Sequence, residues 1–275
     1  MTSSAIRSRL PQQPQRPAAP VPPRFADWEG PYAVSHRGAA GLAPENTLPG
    51  FRAAAALGVR HLEVDVRLTP DGFCVAVHDR DLQRVNGHRL AVADTPWSRL
   101  RHERVGGQPI PLIEDLLVAF PRHCFLLDVK DPAALGPLIA IIERTGSQDR
   151  ICLGGLSDRG LAEARSVLGD VNAGIGRESV IRLGLAALTG GRPRRVQPAG
   201  FAVIPVGLAR PPVPAARWAA ACHQVGADAI AFTVNDARTM AALLDAGFDG
   251  IVTDRPDVLL DLLRRRGEWL QPAGR

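Results

Sequence analysis

The chain is poor in lysine, in cysteine and in long apolar runs. No segment approaches the ~18 consecutive apolar residues that a membrane-spanning helix requires, and the N-terminus lacks the charged and then apolar pattern of a signal peptide. The sequence therefore predicts a cytoplasmic protein without a membrane span. The four cysteines show no CxxC spacing, which argues against a zinc site and, in the cytosol, against disulfides; they are Cys74, Cys124, Cys152 and Cys222.

Lysine is almost absent, because Lys130 is the only lysine among 33 basic residues. Such a bias is typical of a GC-rich genome that replaces lysine by arginine wherever either residue serves. The lone lysine then indicates a position that needs a compact, flexible point charge rather than the wide planar fork of arginine. Chance survival of one codon would explain it equally well.

The net charge of +5 and the pI of about 9.6 would suit a nucleic-acid-binding protein. The arginines, however, are spread along the chain, with local groups only at 192–195 and 264–266. A solvated surface explains such groups more simply, so we expect no nucleic-acid partner.

The chain divides into a proline-rich segment and a long alternating region. Residues 1–28 are rich in Pro, Gln, Ser and Ala, which predicts a disordered tail. Within residues 29–270, nine strand-like runs alternate with eight helical runs. This alternation predicts an α/β fold with a parallel sheet and crossover helices, and about eight such units would close a (β/α)8 TIM barrel.

One strand-like run, 74–77, follows the run 61–67 after only a short turn, so we expect a hairpin rather than a crossover. A two-residue turn at Asp71-Gly72 would place Asp65 opposite His78, whereas a type I turn with Gly72 as a bulge would shift the register by one. The following residues, 81–112, are rich in Gly and Pro and predict an irregular insertion at the barrel mouth.

Polar side chains cluster where the predicted strands end, which is where barrel enzymes build their sites. His36 and Arg37 follow the first strand. The second strand carries Glu63 and Asp65, which share a face because strand residues two apart point the same way. The third strand repeats this spacing with Asp128 and Lys130, and His78 lies on the hairpin arm.

These residue types suit one chemistry. Three carboxylates favour a hard divalent cation such as Ca²⁺ or Mg²⁺. An arginine and a lysine favour a phosphate oxyanion, and two histidines favour an acid and a base acting on opposite sides of one bond. Together they predict metal-assisted cleavage of a phosphodiester.

Four stretches resemble the glycerophosphodiester phosphodiesterases: "HRGAAGLAPENT", "LEVDVRLTPDGFCVAVHD", "LLDVK" and "FTVNDARTMAALLDAGFDGIVTDRPD". The similarity spans roughly residues 34–263 and implies a (β/α)8 barrel with a small insertion after the second strand. It also implies roles, namely an acid/base pair in His36 and His78, phosphate contacts from Arg37 and Lys130, metal ligation by Glu63, Asp65 and Asp128, and support of the first loop by Asn46.

Three positions depart from the family pattern. The third metal ligand is Asp128 where glutamate is usual, Gly155-Leu156 replaces Ser-Phe, and Phe232 replaces a tryptophan. Aspartate is shorter than glutamate by one methylene group, so this change affects how the metal is held. The other two changes alter the pocket wall, so they affect which substrate binds.

We therefore expect a metal-dependent hydrolase that converts glycerophosphodiesters into glycerol 3-phosphate and an alcohol. An alternative is lysophospholipase D activity, because Leu156 and Phe232 would suit an acyl chain; a non-catalytic phosphate-binding barrel is a further one. The sequence leaves open which histidine is the acid, whether water or a substrate hydroxyl attacks, which alcohol leaves, which metal binds and the oligomeric state. It also leaves Asp254 open, as a site residue or as a cap of the last helix.

Overall fold

The computed structural model of the protein describes Phe25 and residues 27–169, 171–196, 200–207 and 213–269. The predicted tail, residues 1–28, lies outside this part of the chain except for Phe25, Asp27 and Trp28. None of the helices in these ranges combines the length and the apolar character that spanning a bilayer requires.

Strands and helices alternate along the described chain. The strands are β1 (Tyr32–Ser35), β2 (His61–Leu68), β3 (Cys74–Ala76), β4 (Asp81–Leu82), β5 (His88–Ala91), β6 (Arg104–Val105), β7 (Gln108–Pro109), β8 (Cys124–Val129), β9 (Ile151–Gly154), β10 (Asn172–Ala173), β11 (Phe201–Pro205), β12 (Asp228–Phe232) and β13 (Gly250–Thr253). The helices are α1 (Leu48–Ala56), α2 (Gln83–Asn86), α3 (Trp97–Leu100), α4 (Ile113–Ala119), α5 (Leu135–Thr145), α6 (Asp158–Leu168), α7 (Arg177–Thr189), α8 (Ala215–His223), α9 (Ala237–Asp245) and α10 (Pro256–Arg266).

Eight of the strands form one parallel ring, in the order β10-β9-β8-β2-β1-β13-β12-β11. A bridge between Gly174 and Phe201 joins the two ends, and the Ile175 N–H donates to Phe201 O at 2.9 Å. Helices α1 and α4–α10 surround this ring. The predicted (β/α)8 barrel is therefore confirmed.

The two faces of β2 show why this sequence forms a barrel strand. Leu62, Val64 and Val66 are fully buried in the cluster that packs against the surrounding helices. The alternate residues Glu63 and Asp65 are equally buried but point to the other side, into the barrel. The strand thus places two acids inside the ring, as the alternation predicts.

The hairpin arm β3 pairs antiparallel with β2, with Val66 opposite Ala76 and Leu68 opposite Cys74. The Gly72 N–H donates to Thr69 O at 3.0 Å, and Gly72 has a φ of +89°, a conformation that glycine adopts without strain. This register is the shifted alternative, so residue 65 is level with residue 77 rather than with His78.

The insertion after the arm is more regular than its composition suggests. Residues 81–112 contain the two-stranded sheets β4-β5 and β6-β7 and the short helices α2 and α3. Together with the arm they enclose a small apolar cluster. Its members are Val75, Val77, Leu82, Val92, Leu100, Val105 and Ile110. Glycine and proline occur in its turns, which is why a composition-based reading predicted an irregular segment.

The last residues of the predicted tail contact the barrel. Phe25 is 2% exposed, its N–H donates to Asp149 O at 2.9 Å, and its ring packs edge-on against Phe201. Trp28 packs against Trp269 in a tilted arrangement, with ring centroids 5.6 Å apart. Two aromatic residues at the end of the proline-rich segment therefore pack on the barrel, which the average composition of the segment does not indicate.

His61, at the start of β2, is buried beneath these aromatic rings. Phe25, Trp28 and Tyr32 all meet its imidazole edge-on, and Nε2 lies 3.2 Å from Phe25 O. A carbonyl acceptor requires a proton on Nε2, so the neutral ring is the Nε2–H tautomer. Burial lowers the pKa of His61 from 6.5 to about 3.

His61 should make the fold sensitive to acid. As the pH falls, the unfolded chain binds a proton near 6.5 while the folded chain resists protonation down to about 3, so stability is lost across this window. We expect the wild type to lose about 2–3 kcal/mol more than His61→Phe between about pH 7 and about pH 4.5. Urea denaturation of both proteins at the two pH values measures this, and equal losses would contradict it.

Candidate active site

The candidate site lies at the mouth of the barrel where β1, β2 and β8 end. β2 and β8 pair in register, with Asp65 opposite Asp128, so two of the acids lie side by side. Glu63 lies one inward-facing position earlier on β2. The structure thus brings together the three carboxylates that the sequence predicts as metal ligands, and oxygen atoms from all three lie within 4.8 Å of one another.

This carboxylate cluster is buried and mutually repulsive. Burial and the negative charges of Asp65 and Asp128 raise the pKa of Glu63 well above the usual range. Burial also acts to raise the pKa of Asp65, but the charges of Lys130 and Arg37 and a hydrogen bond from Asn46 outweigh it and lower that pKa. The two neighbouring acids therefore hold their protons with very different strength.

Two cations compensate the cluster. Lys130 Nζ lies 2.5 Å from Asp128 Oδ2 and 3.0 Å from Asp65 Oδ1. Arg37 Nε lies 3.1 Å from Asp65 Oδ2, and the Arg37 backbone N–H donates to Glu63 Oε2 at 2.7 Å. The predicted phosphate-binding residues and the predicted metal ligands thus form a single charged group.

The turn after β1 aims this backbone donor. Arg37, Gly38 and Ala39 have positive φ values of 49°, 69° and 64°. A Cβ on Gly38 would meet the Phe51 side chain at 2.9 Å, so glycine is required here for space as well as conformation. Asn46, also left-handed at 55°, donates from Nδ2 to Asp65 Oδ2 at 2.8 Å and so links this loop to β2.

The donor set fits a hard divalent cation. Carboxylate oxygens are the ligands that Ca²⁺ and Mg²⁺ prefer. Asp65 Oδ1 is buried and makes no well-formed hydrogen bond to any described residue, although Lys130 Nζ lies at ion-pair distance. A buried oxygen of this kind, facing two further carboxylates, is suited to ligate an ion.

Asp128 is positioned by the absence of a side chain at residue 155. Gly155 has a φ of +76°, and a Cβ there would lie 2.1 Å from Asp128 Oδ1 and 2.7 Å from Val129 O. Two of the departures from the family pattern therefore touch each other. The short acid on β8 occupies the space that a serine at position 155 would need.

His36 is held between a carboxylate and an aromatic ring. Its Nδ1 lies 2.6 Å from Asp254 Oδ1, and its ring meets Phe232 edge-on at 5.4 Å. Asn235 donates to the other Asp254 oxygen at 2.7 Å. Nε2 is turned toward the carboxylate cluster, 3.9 Å from Glu63 Oε2. Asp254 is therefore a site residue, and its side chain does not cap α10.

Burial by itself raises the pKa of Asp254, but the hydrogen bond and charge of His36 and the bond from Asn235 outweigh it and lower the pKa. Asp254 is thus ionised and accepts the Nδ1 proton of the imidazole. This fixes the ring so that Nε2 is the nitrogen presented to the site.

A second chain of ion pairs reaches His78. Its Nδ1 lies 2.7 Å from Asp79 Oδ1, and Arg84 Nε donates to the other Asp79 oxygen at 2.5 Å. Arg84 also donates to both oxygens of Glu45, at 2.8 and 2.6 Å, and Glu45 accepts from Arg37 at 3.2 Å. Arg84, on α2 of the insertion, therefore links the arm that carries His78 to the loop that carries Arg37.

A cleft of about 490 Å³ opens beside the carboxylate cluster. Glu63, Asp128 and Lys130 form its polar end, whereas the rest of the wall is largely apolar. The remaining lining residues include Leu126, Leu156, Ile175, Val180, Ile181, Val203, Pro205 and Phe232, together with Arg177.

Sequence reasoning missed Glu45, Arg84 and Asn235. Glu45 and Asn235 lie inside stretches that carry the family resemblance, so their motifs were a usable signal. Arg84 had none, because an arginine in a Gly- and Pro-rich insertion resembles any exposed cation. Only the fold of the insertion brings its guanidinium between two carboxylates.

Fold and site together define a barrel enzyme that cleaves phosphoric diesters. The chain belongs to the glycerophosphoryl diester phosphodiesterase family, whose model matches residues 36–258. A curated Mycobacterium tuberculosis protein, "Probable glycerophosphodiester phosphodiesterase 2", is 35% identical over 251 residues, which cover 89% of this chain and 95% of the relative.

Solved structures agree with this assignment. A Silicibacter pomeroyi protein of the same family matches with a TM-score of 0.70 at 26% identity, covering 86% of this chain and 94% of that one. An Oleispira antarctica phosphodiesterase, solved in complex with the product sn-glycerol-3-phosphate, shares the fold with a TM-score of 0.70 at 20% identity, covering 86% and 97% of the two chains.

Replacing Glu63 by glutamine should stabilise the metal-free protein. The change removes the ionisable carboxyl that burial and its two acidic neighbours disfavour, and leaves an oxygen to accept the Arg37 N–H. We expect Glu63→Gln to raise the free energy of unfolding by about 1 kcal/mol at neutral pH. The gain should grow with pH, because a carboxyl with a raised pKa costs the folded wild type stability as the pH rises above the usual glutamate range.

Urea denaturation in the presence of a chelator measures this effect. Glu114→Gln is a matched control on α4, because the hydrogen bond from Arg144 lowers the pKa of Glu114 and its removal should bring no gain. A Glu63→Gln protein less stable than the wild type would contradict the repulsion argument.

Proposed function

We propose that the protein hydrolyses glycerophosphodiesters to glycerol 3-phosphate and an alcohol, with a divalent metal ion and two histidines. The observation that carries this proposal is the convergence, at one barrel mouth, of three carboxylates, two cations and two carboxylate-held imidazoles. The family membership supports the reaction type. The bound sn-glycerol-3-phosphate of the Oleispira antarctica protein supports the glycerophosphate half of the substrate.

In this proposal Arg37 and Lys130 bind the phosphate. Both cations already lie beside Asp65 at about ion-pair distance, 3.1 and 3.0 Å, so they are oriented before substrate enters. Arginine offers a planar fork to two phosphate oxygens, and lysine offers a point charge that follows the oxyanion as it develops. This division explains the one lysine in an arginine-rich chain.

Glu63, Asp65 and Asp128 would hold the metal ion, Ca²⁺ or Mg²⁺, which when bound would neutralise charge that builds on the phosphate. Lys130 and Arg37 keep Asp65 ionised, so at least one ligand is ready at neutral pH. Asn46 holds the Asp65 carboxylate in place by donating to Oδ2.

His36 and His78 act as the acid/base pair. Each presents Nδ1 to a carboxylate, Asp254 for His36 and Asp79 for His78. That bond leaves Nε2 to accept a proton from the attacking hydroxyl or to donate one to the leaving alkoxide. Both imidazoles are therefore equipped for either role.

A second candidate activity is hydrolysis of lysophospholipids of the lysophospholipase D type. The cleft favours it, because most of its wall beyond Lys130 and Asp128 is apolar and Phe232 and Leu156 could contact an acyl chain. The chemistry at the phosphorus atom would be the same.

We propose a cytoplasmic protein whose partner is a small-molecule diester rather than nucleic acid. The four cysteines are buried and form no disulfide, which suits a reducing compartment. The arginines that carry the net positive charge are spread along the chain, with local groups at 192–195 and 264–266.

Removing His36 tests the proposed reaction. We expect His36→Ala to lower turnover of glycerophosphocholine by about 10²–10⁴-fold, because one proton-transfer group is lost. His102→Ala is the matched control, since His102 is exposed in the insertion and should leave the rate unchanged. Equal turnover by the wild type and His36→Ala would refute the assignment.

The metal requirement is tested with the same assay. A chelator should abolish turnover by the wild type, and Ca²⁺ or Mg²⁺ should restore it. Calorimetric titration should detect the ion in the wild type and not in Asp65→Asn, which loses the most buried ligand. Full activity in chelator would overturn the metal-dependent part of the proposal.

A further inference from the structure

Helix α7 carries an unusual concentration of exposed apolar side chains. Among the described residues, seven large hydrophobic side chains are exposed, and three of them lie on α7: Ile181 (65% exposed), Leu185 (58%) and Leu188 (44%). Their spacing of four and three residues places them on one side of the helix. We call these three side chains the α7 apolar face.

The α7 apolar face is not a loosely packed part of the core. The opposite side of the helix buries Leu183 and Ala187, and a Cβ at Gly184 would meet the Trp218 ring of α8 at 2.8 Å. The helix is therefore held on the barrel by its other side, and the three exposed side chains take no part in that packing.

The face continues the wall of the catalytic cleft. Ile181 and its neighbour Val180 line the cleft, as does Arg177 at the start of the helix. An apolar surface thus extends from inside the cleft, across its edge, and along the outside of α7.

The surroundings of the face are strongly basic. Residues 177–196 contain five arginines and a single acidic residue, Glu178. Arg182 is paired with Asp158, whose Oδ2 accepts from Nη1 at 2.7 Å. The same Nη1 donates to Arg195 O at 3.1 Å, which places the loop after the helix beside its second turn. The side chains of Arg192, Arg194 and Arg195 are exposed, and within the described part of the chain none of them forms an ion pair with a carboxylate.

We propose that the α7 apolar face docks on an anionic lipid surface and holds the cleft mouth against it, so that a lysophospholipid substrate reaches the site from the membrane. The proposal rests on the phosphodiesterase function proposed above. Apolar side chains on one helical face, flanked by arginines, are the combination that binds at the interface of anionic bilayers.

A second copy of the chain fits this face less well. A two-fold contact around this face would bring the exposed arginines of the following loop, Arg192, Arg194 and Arg195, near those of the other protomer, which is repulsive. Three side chains also supply little of the roughly 1,200–2,000 Å² that a stable interface buries. An anionic bilayer instead offers negatively charged headgroups to the arginines and acyl chains to the leucines.

The test uses the full chain with vesicles of phosphatidylcholine and phosphatidylglycerol in equal parts, and with vesicles of phosphatidylcholine alone. The test variant combines Leu185→Asp with Leu188→Asp and spares Ile181, which lines the cleft. The matched control combines Val118→Asp with Val167→Asp, since these residues are equally exposed, at 65% and 55%, on α4 and α6.

We expect the wild type and the control to sediment with the anionic vesicles, less so as salt increases, and to bind the neutral vesicles weakly. The test variant should bind the anionic vesicles about tenfold or more weakly. It should also cleave lysophosphatidylglycerol in vesicles correspondingly slowly, while all three proteins hydrolyse dissolved glycerophosphocholine at the same rate.

Failure of the wild type to bind anionic vesicles, or equal binding by the test variant, would overturn the docking surface. So would a wild-type dimer in gel filtration that the test variant dissociates, because the face would then belong to a second copy. Vesicle binding without turnover of any diester would refute the proposed function alone, so the two failures are distinguishable.

Discussion

The mutual repulsion of Glu63, Asp65 and Asp128 inside the barrel is the constraint on which the rest of the site depends. Three carboxylates in a low-dielectric interior destabilise the fold unless positive charge compensates them. Arg37 and Lys130 supply part of this compensation directly, at distances of 2.5 to 3.1 Å from Asp65 and Asp128. The raised pKa of Glu63 shows that the compensation is incomplete in the protein alone. A buried carboxylate cluster that is short of positive charge favours a bound cation.

Carboxylates also hold the two histidines at the periphery of the site, and each carboxylate has a further hydrogen-bond donor behind it. His36 is held by Asp254, which is held in turn by Asn235. His78 is held by Asp79, and Arg84 joins Asp79 to the loop that carries Arg37. The insertion after β3 thus does more than cover the mouth. By placing one guanidinium between two carboxylates, it connects the segments that follow β1 and β3.

Much of the architecture was predictable because its signals are local. Alternation of strand-like and helical runs predicted the barrel, and the i, i+2 spacing of Glu63 and Asp65 predicted their shared face. Other features were not predictable, because they arise between distant segments. The hairpin register depended on whether Gly72 forms a bulge, and no local pattern distinguished the two turns. Phe25 was assigned to a tail because its burial depends on β2 and β11, which lie far away in the chain.

The sequence alone determined which functional groups are available near the strand ends: three carboxylates, one lysine, one arginine and two histidines. Side-chain chemistry and short-range periodicity are properties of the chain itself, so they can be read without a fold. Only the tertiary structure decided which groups meet. It placed Asp254 on His36, Arg84 between Asp79 and Glu45, and Asp128 in the space left by Gly155. Such contacts depend on register and on barrel closure, which are set by the packing of the whole chain.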